Sequence, residues 1–158
     1  MSEGFFMARS EFHGVSDQRK AAFKRLRDAK ALLAEENSLD WLRSDGAHAR
    51  GAMYLAGYAI ECRLKSIAME TYGCQTLAQL AVRWQVDEGF IYTHGLEGLA
   101  KRLPLWIRLR RSEVWADFSK VIQWRPAWRY DPLDWPNREA SRFLLAVTRV
   151  YDWLGRNH

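Results

Sequence analysis

Apolar residues recur at helical spacing near the start of the chain. Ser16 is a good N-cap, and Asp17 behind it suits the positive end of a helix dipole. The apolar positions that follow are three or four residues apart: Ala22, Leu26, Ala29 and Leu33. This spacing places them on one face and predicts a first helix that ends near Asn37 and Ser38.

A second helix is predicted from Gly46 to Tyr72, a stretch without proline, with Ser44 or Asp45 as its cap and Gly73 as its end. Residues 51–60 are apolar on every side, which is typical of a helix buried among several neighbours. Several of them are small and would let neighbouring helix axes approach closely. Close packing would explain Gly57, because glycine costs about 1 kcal/mol relative to alanine inside a helix.

The middle of the chain shows shorter patterns. Residues 76–84 fit a short helix, and residues 89–92 fit a loop or a brief extended piece. Thr93 or His94 is expected to cap a third helix that Pro104 ends.

Two further helices are predicted towards the C-terminus. Ser112 opens a fourth helix, and Asn137 caps the last one, which Gly155 stops. The inward positions predicted for these helices are Trp115, Phe118, Val121, Ile122, Ala140, Phe143, Leu144, Val147, Tyr151 and Leu154. No alternation typical of strands persists for six residues, so we expect an all-α, up-and-down bundle of four to five helices.

The domain organisation follows from the same pattern. Residues 1–15 lack a clear period and are expected to be a flexible N-terminal extension, whereas residues 16–158 fit a single domain. The sequence has no apolar run of membrane-spanning length and no typical secretory signal, so we expect a cytoplasmic protein without membrane contact. Cys62 and Cys74 fit a core thiol and a loop thiol rather than a disulfide framework.

The charges leave several kinds of partner open. The chain carries 24 basic and 19 acidic residues, a formal net charge of +5. The densest basic run spans residues 102–111 and fits either nucleic-acid contact or a solvated loop between helices. The four histidines are dispersed without ligand spacing, so we expect no metal site and no cofactor.

Glu61 and Lys65 place charge beside the apolar part of the second helix. A buried carboxylate without a partner is costly, and two arrangements would avoid that cost. The two residues are spaced i, i+4 and could form an exposed pair worth a few tenths of a kcal/mol. Alternatively, Glu61 faces inward and meets an arginine of another element, for which Arg129 is the best candidate.

The segment from residue 123 to 136 holds three tryptophans and three prolines, which indicates an ordered loop. Pro126 and Pro132 stiffen it, so Arg129 and Asp131 would be held in a fixed place. Such a loop is either a site of function or a structural clasp.

Residues 53–67, MYLAGYAIECRLKSI, resemble the signature helix of HEPN-domain proteins (higher eukaryote and prokaryote nucleotide-binding). Residues 94–99, HGLEGL, are similar to a following helix of the same subgroup. Trp124 and the pair Arg129–Tyr130, placed before the last helix, also match. The resemblance covers roughly residues 16–155.

The resemblance implies an HEPN-like bundle, similar to the substrate-binding subunits of nucleotidyltransferases and often dimeric. Many relatives pair with a small nucleotidyltransferase in toxin–antitoxin or defence systems. Catalytic relatives are metal-independent ribonucleases with an arginine followed four to six residues later by a histidine. No histidine follows Arg125 or Arg129 within six residues. The pair Arg43 and His48 has this spacing but lies at the start of the second helix, which is the wrong element.

Three functions are therefore considered. The first is a non-catalytic or atypical HEPN module, a homodimer that binds a nucleotidyltransferase partner, a nucleotide or RNA. Its candidate binding residues are Glu61, Lys65, Arg129, Tyr130 and Asp131. The second is a metal-independent endoribonuclease toxin in which Arg129 acts with His94, Tyr130 or Asp131. The third is a helical protein-interaction domain without a nucleic-acid role.

Overall fold

The computed structural model describes residues 14–38, 48–92, 95–133 and 135–158, and every regular element in these ranges is helical. The elements are α1 (Val15–Ser38), α2 (Ala49–Tyr72), α3 (Leu77–Trp84), α4 (Glu88–Tyr92), α5 (Leu96–Lys101), α6 (Trp106–Arg110), α7 (Trp115–Val121), a 3-10 helix (Pro126–Tyr130) and α8 (Asn137–Arg156). The prediction of an all-α helical bundle is confirmed. No helix in the described ranges has the length and apolar character needed to cross a bilayer.

Helix α2 is the centre of the bundle. It packs most extensively against α1 and next against α8, and it also contacts the 3-10 helix. Every residue from 59 to 69 is buried. The expectation that residues 51–60 are buried on every side is wrong, because Gly51 is exposed and Tyr54, Leu55 and Tyr58 are half-buried along one side of the helix. Gly73 ends the helix in the left-handed conformation with φ of 65°, as predicted. The predicted start at Gly46 and its caps, Ser44 and Asp45, lie outside the described residues.

Gly57 makes a close approach, although to an indole ring rather than to a helix axis. A Cβ atom at this position would lie within 3.0 Å of three ring atoms of Trp124. The Trp124 indole N–H donates to the backbone carbonyl of Tyr54 at 3.0 Å, which fixes the ring in place. Gly51, by contrast, is exposed and has no atom within 4 Å of such a Cβ. The prediction of close packing therefore holds at Gly57 and is wrong at Gly51.

The short helices between α2 and α8 differ from their predictions in bounds and number. Residues 88–92 are helical rather than extended, because the Asp87 carboxylate accepts from the backbone N–H of Gly89 at 2.6 Å and caps the turn. Helix α3 matches its prediction, with the Thr76 hydroxyl accepting from the N–H of Gln79 at 3.2 Å. Helix α5 begins after Gly95 and ends at Lys101, and the predicted caps Thr93 and His94 lie outside the described residues.

The two C-terminal helices also shift at their ends. Helix α7 begins at Trp115, later than predicted, with Phe118 and Val121 buried. Asn137 is the first residue of α8 instead of its cap. The helix also continues past Gly155 to Arg156. It continues because the Asn157 side chain donates to the backbone carbonyl of Trp153 at 2.9 Å. This carbonyl is one of the last in the helix, which otherwise have no hydrogen-bond donor.

Candidate functional site

Four side chains form one face of α2, which we call the polar stripe: Tyr54, Tyr58, Glu61 and Lys65. Their spacing of four, three and four residues keeps them on the same side of the helix over about 16 Å. The rings of Tyr54 and Tyr58 lie 5.9 Å apart, and both also contact the ring of Trp124, at 6.1 and 6.0 Å. Both tyrosines are half-buried. The stripe is therefore partly open to solvent at its Tyr54 end.

Glu61 and Lys65 form the buried end of this stripe. The Lys65 ammonium donates to a Glu61 carboxylate oxygen, and the two residues are 4% and 1% exposed, respectively. The Lys65 Nζ also lies 5.7 Å from the centre of the Tyr92 ring. The predicted i, i+4 pair forms, but the expectation that it is exposed is wrong, because neighbours surround α2 completely at this level. Glu61 faces inward, as in the second arrangement considered from the sequence. The cation that it contacts is Lys65, however, and not Arg129.

Arg129 and Tyr130 lie at the open end of the stripe. The 3-10 helix carries both side chains, and the Arg129 guanidinium carbon is 4.5 Å from the centre of the Tyr130 ring. A hydrogen bond with the Tyr54 side chain raises the pKa of Arg129. Tyr130 is 73% exposed. Tyr54 precedes Glu61 by seven residues, about 10 Å along the helix. Arg129 and Glu61 therefore share one face of α2 and lie at different levels of it.

Asp131 bonds to Arg50, which lies one helical turn before Tyr54 on α2. Its carboxylate accepts from Arg50 Nη2 at 2.6 Å and Nε at 3.0 Å, and from the Trp135 indole N–H at 3.1 Å. The backbone N–H of Leu133 donates to the other oxygen at 3.0 Å. This bond and the bonds from Arg50 hold the pKa of Asp131 below its usual range. Asp131 thus fastens the loop to α2.

Arg50 is the residue of this region whose role the sequence did not reveal. Its guanidinium carbon lies 3.7 Å from the centre of the Trp135 ring and 4.3 Å from that of Trp128, so two indoles enclose the cation. The side chain is buried at the first turn of α2. With Asp131 it forms the clasp, defined here as Arg50, Trp128, Asp131 and Trp135. The loop is therefore ordered as predicted, and the clasp holds the segment that carries Arg129 and Tyr130 in place.

The remaining sequence candidates divide between structural and unassigned roles. His94 lies outside the described residues. In the basic run, Arg102 donates to the carbonyl of Trp84 at 3.3 Å and Arg108 donates to that of Asn157, so both serve the packing. Arg110 and Arg111 are exposed. The run is not a loop throughout, since residues 106–110 form α6.

Cys62, which is buried, and Tyr58, which is half-buried, predict a loss of stability at alkaline pH. Burial, with the charge of Glu61 as a second cause, raises the pKa of Cys62 from 9.0 and that of Tyr58 from 10.0, each to about 12. The unfolded chain therefore ionises first, so this stability is complete below about pH 9 and disappears as the pH rises towards 12. For Cys62 the slope is about 1.4 kcal/mol per pH unit, and half-exposed Tyr58 contributes less.

Urea unfolding at pH 8 and at pH 10.5 measures this loss. The variants Cys62→Ala and Tyr58→Phe should each show a smaller decline between the two pH values than the parent chain. A decline of equal size in all three proteins would contradict the assignment to these two groups.

The fold and the site were compared with known proteins. No protein-family model, no curated protein and no solved structure matches the chain. The resemblance of residues 53–67 to the HEPN signature helix therefore stays a prediction.

Proposed function

We propose that this chain is an HEPN-like module that binds single-stranded RNA or a nucleotide through Arg129 and Tyr130, without cleaving it. The observation that carries the proposal is the exposed pair formed by these two side chains, 4.5 Å apart and held by the clasp. The formal net charge of +5 supports an anionic ligand.

The chemistry of the pair suits an unstacked base and its phosphate. A tyrosine ring exposed to this degree offers a face on which a base stacks, an interaction worth about 1–3 kcal/mol per base. The guanidinium beside it donates hydrogen bonds in a planar fork that matches phosphate oxygens. RNA-binding modules use this combination on single strands, whose bases are free to stack on protein side chains.

The clasp would make binding less costly in entropy. Arg50 is enclosed by Trp128 and Trp135 and bonded to Asp131, so the loop that carries the pair is already ordered. A surface that is fixed before binding loses less conformational freedom when the ligand arrives. In this proposal Asp131 is a positioning residue, and Glu61 with Lys65 stabilises the helix beneath the site.

The absence of cleavage is proposed from the sequence around Arg129. Cleavage of RNA without metal depends on a general acid–base group, for which histidine is the usual side chain. No histidine follows Arg129 within six residues. From the HEPN resemblance we further propose a homodimer that pairs with a nucleotidyltransferase in a toxin–antitoxin or defence system.

Fluorescence anisotropy with a labelled oligouridylate of twelve nucleotides tests the binding. Tyr130→Ala should weaken binding about tenfold, the equivalent of about 1.4 kcal/mol from one lost stacking interaction. Arg129→Gln should lower the slope of log affinity against log salt by about 0.7, the value for one phosphate contact with a single strand. Arg83 is an exposed arginine of α3, and Arg83→Gln is the matched control. Its slope of log affinity against log salt should equal that of the parent chain, apart from a small effect of the lost charge.

Two results would contradict the proposal separately. Unchanged binding by the double variant Arg129→Gln/Tyr130→Ala would exclude this surface as the site. Cleavage of the oligonucleotide in EDTA by the parent chain, lost in Arg129→Gln, would show that the module is a ribonuclease although the binding site is correct.

A further inference from the structure

Arg63 is a buried cation on the side of α2 opposite Tyr54. The two positions are nine residues apart, which is a rotation of about 180° around the helix. Arg63 is 8% exposed, and within the described ranges no carboxylate pairs with it. Its Nε atom is fully buried and has no hydrogen-bond partner among those residues. Burial lowers the pKa of this guanidinium, which means that the charged form is held at a cost.

The surroundings of Arg63 add positive charge. Arg19 of α1 is close enough to lower the pKa of Arg63 further, although less than burial does. The ring of Tyr151 from α8 lies 5.6 Å from the guanidinium carbon. Glu70 lies two turns further along α2 and is already paired with Arg19 and with His158, whose Nε2 is 3.4 Å away. Two arginines thus lie near each other at the seam of α1, α2 and α8, and the carboxylate of Glu70 is paired with Arg19.

Gly155 lies beside Arg63 at this seam. The residue is exposed, and a Cβ atom at its position would lie 3.3 Å from Arg63 Nη2. No side chain of residue 155 therefore covers the Nη2 end of the guanidinium, whereas Nε is fully buried.

We propose that Arg63 and Arg19 form a binding site for a phosphate group at this seam, entered beside Gly155. The guanidinium fork of Arg63 would donate to the phosphate oxygens and Arg19 would add charge. The negative ligand would supply the partner that the described part of the chain does not provide. This site is separate from the proposed RNA surface, since Tyr54 and Arg63 lie on opposite sides of α2.

Thermal unfolding of the full chain tests the site, with sodium phosphate compared with sodium chloride at equal ionic strength. At a phosphate concentration ten times Kd, the ratio of folded to unfolded chain should rise about tenfold. Arg63→Met keeps the length of the side chain and removes the charge. We expect this variant to be at least as stable as the parent in chloride and to show no response to phosphate.

Two further variants and one ligand define the site. Gly155→Ala should weaken the phosphate response severalfold, and Arg129→Gln should leave it intact, which separates this site from the RNA surface. Adenosine monophosphate is compared with phosphate in the same unfolding experiment. If it stabilises the parent chain at a lower concentration than phosphate does, and does not stabilise Arg63→Met, the ligand is a phosphomonoester. If the two compounds stabilise the parent chain at equal concentrations, the ligand is phosphate itself. An equal phosphate response in the parent and in Arg63→Met, or none in the parent, would overturn the proposal.

Discussion

Replacement of Lys65 with methionine is expected to lower the free energy of unfolding by about 3–5 kcal/mol, the usual loss when one partner of a buried ion pair is removed. Lys65 and Glu61 are 4% and 1% exposed and hydrogen-bonded to each other. Without the ammonium, the Glu61 carboxylate would lose the positive charge of Lys65 at a position that is 1% exposed. Urea unfolding at pH 7 would measure the loss as a lower midpoint with an unchanged slope.

The chain contains a matched control for this experiment. Glu97 and Lys101 have the same residue types at the same i, i+4 spacing, 2.9 Å apart, with both side chains about half exposed. Lys101→Met should cost less than about 1 kcal/mol, as exposed pairs do. The double variant Glu61→Leu/Lys65→Met should recover most of the stability lost by Lys65→Met, because it removes both buried charges. Equal losses in Lys65→Met and Lys101→Met would contradict the buried role of the pair.

For Glu61 and Lys65, the sequence predicted the contact between the two side chains but not its burial. The i, i+4 spacing predicts that the two side chains meet, because this is local helix geometry. Their burial depends on elements far along the chain, such as the short helix that carries Tyr92. Helices of five to seven residues are marginal by themselves and form through tertiary packing, so the pattern of residues 75–121 predicted few of their bounds.

The clasp illustrates the same limit at longer range. The three tryptophans and three prolines of residues 123–136 indicated an ordered loop, and that ordering is what the structure shows. The residue that orders it, Arg50, is 81 positions from Asp131 and had no local signal beyond its charge. The pair Arg129–Tyr130 was predicted as a candidate, whereas the support that holds it in place was visible only in three dimensions.

Replacement of Gly57 with alanine is expected to lower the free energy of unfolding by about 3 kcal/mol, against the usual gain from alanine in a helix. The new Cβ would lie within 3.0 Å of three atoms of the Trp124 ring, a separation that real Cβ atoms do not show. The ring cannot withdraw freely, because it is buried and its N–H bonds to the carbonyl of Tyr54. Urea unfolding would measure the loss, and near-ultraviolet circular dichroism would report the displaced indole.

Gly51→Ala on the same helix is the control that separates packing from helix propensity. No atom lies within 4 Å of a Cβ at Gly51, so alanine there should raise stability by up to about 1 kcal/mol. The two substitutions are chemically identical and should therefore have opposite signs. Displacement of Trp124 should also disturb Tyr54, whose ring is 6.1 Å away, and through it the hydrogen bond to Arg129. Weaker binding of oligouridylate by Gly57→Ala than by Gly51→Ala would connect the packing at the centre of α2 to the proposed site. Equal stability of the two variants would contradict the close contact between Gly57 and Trp124.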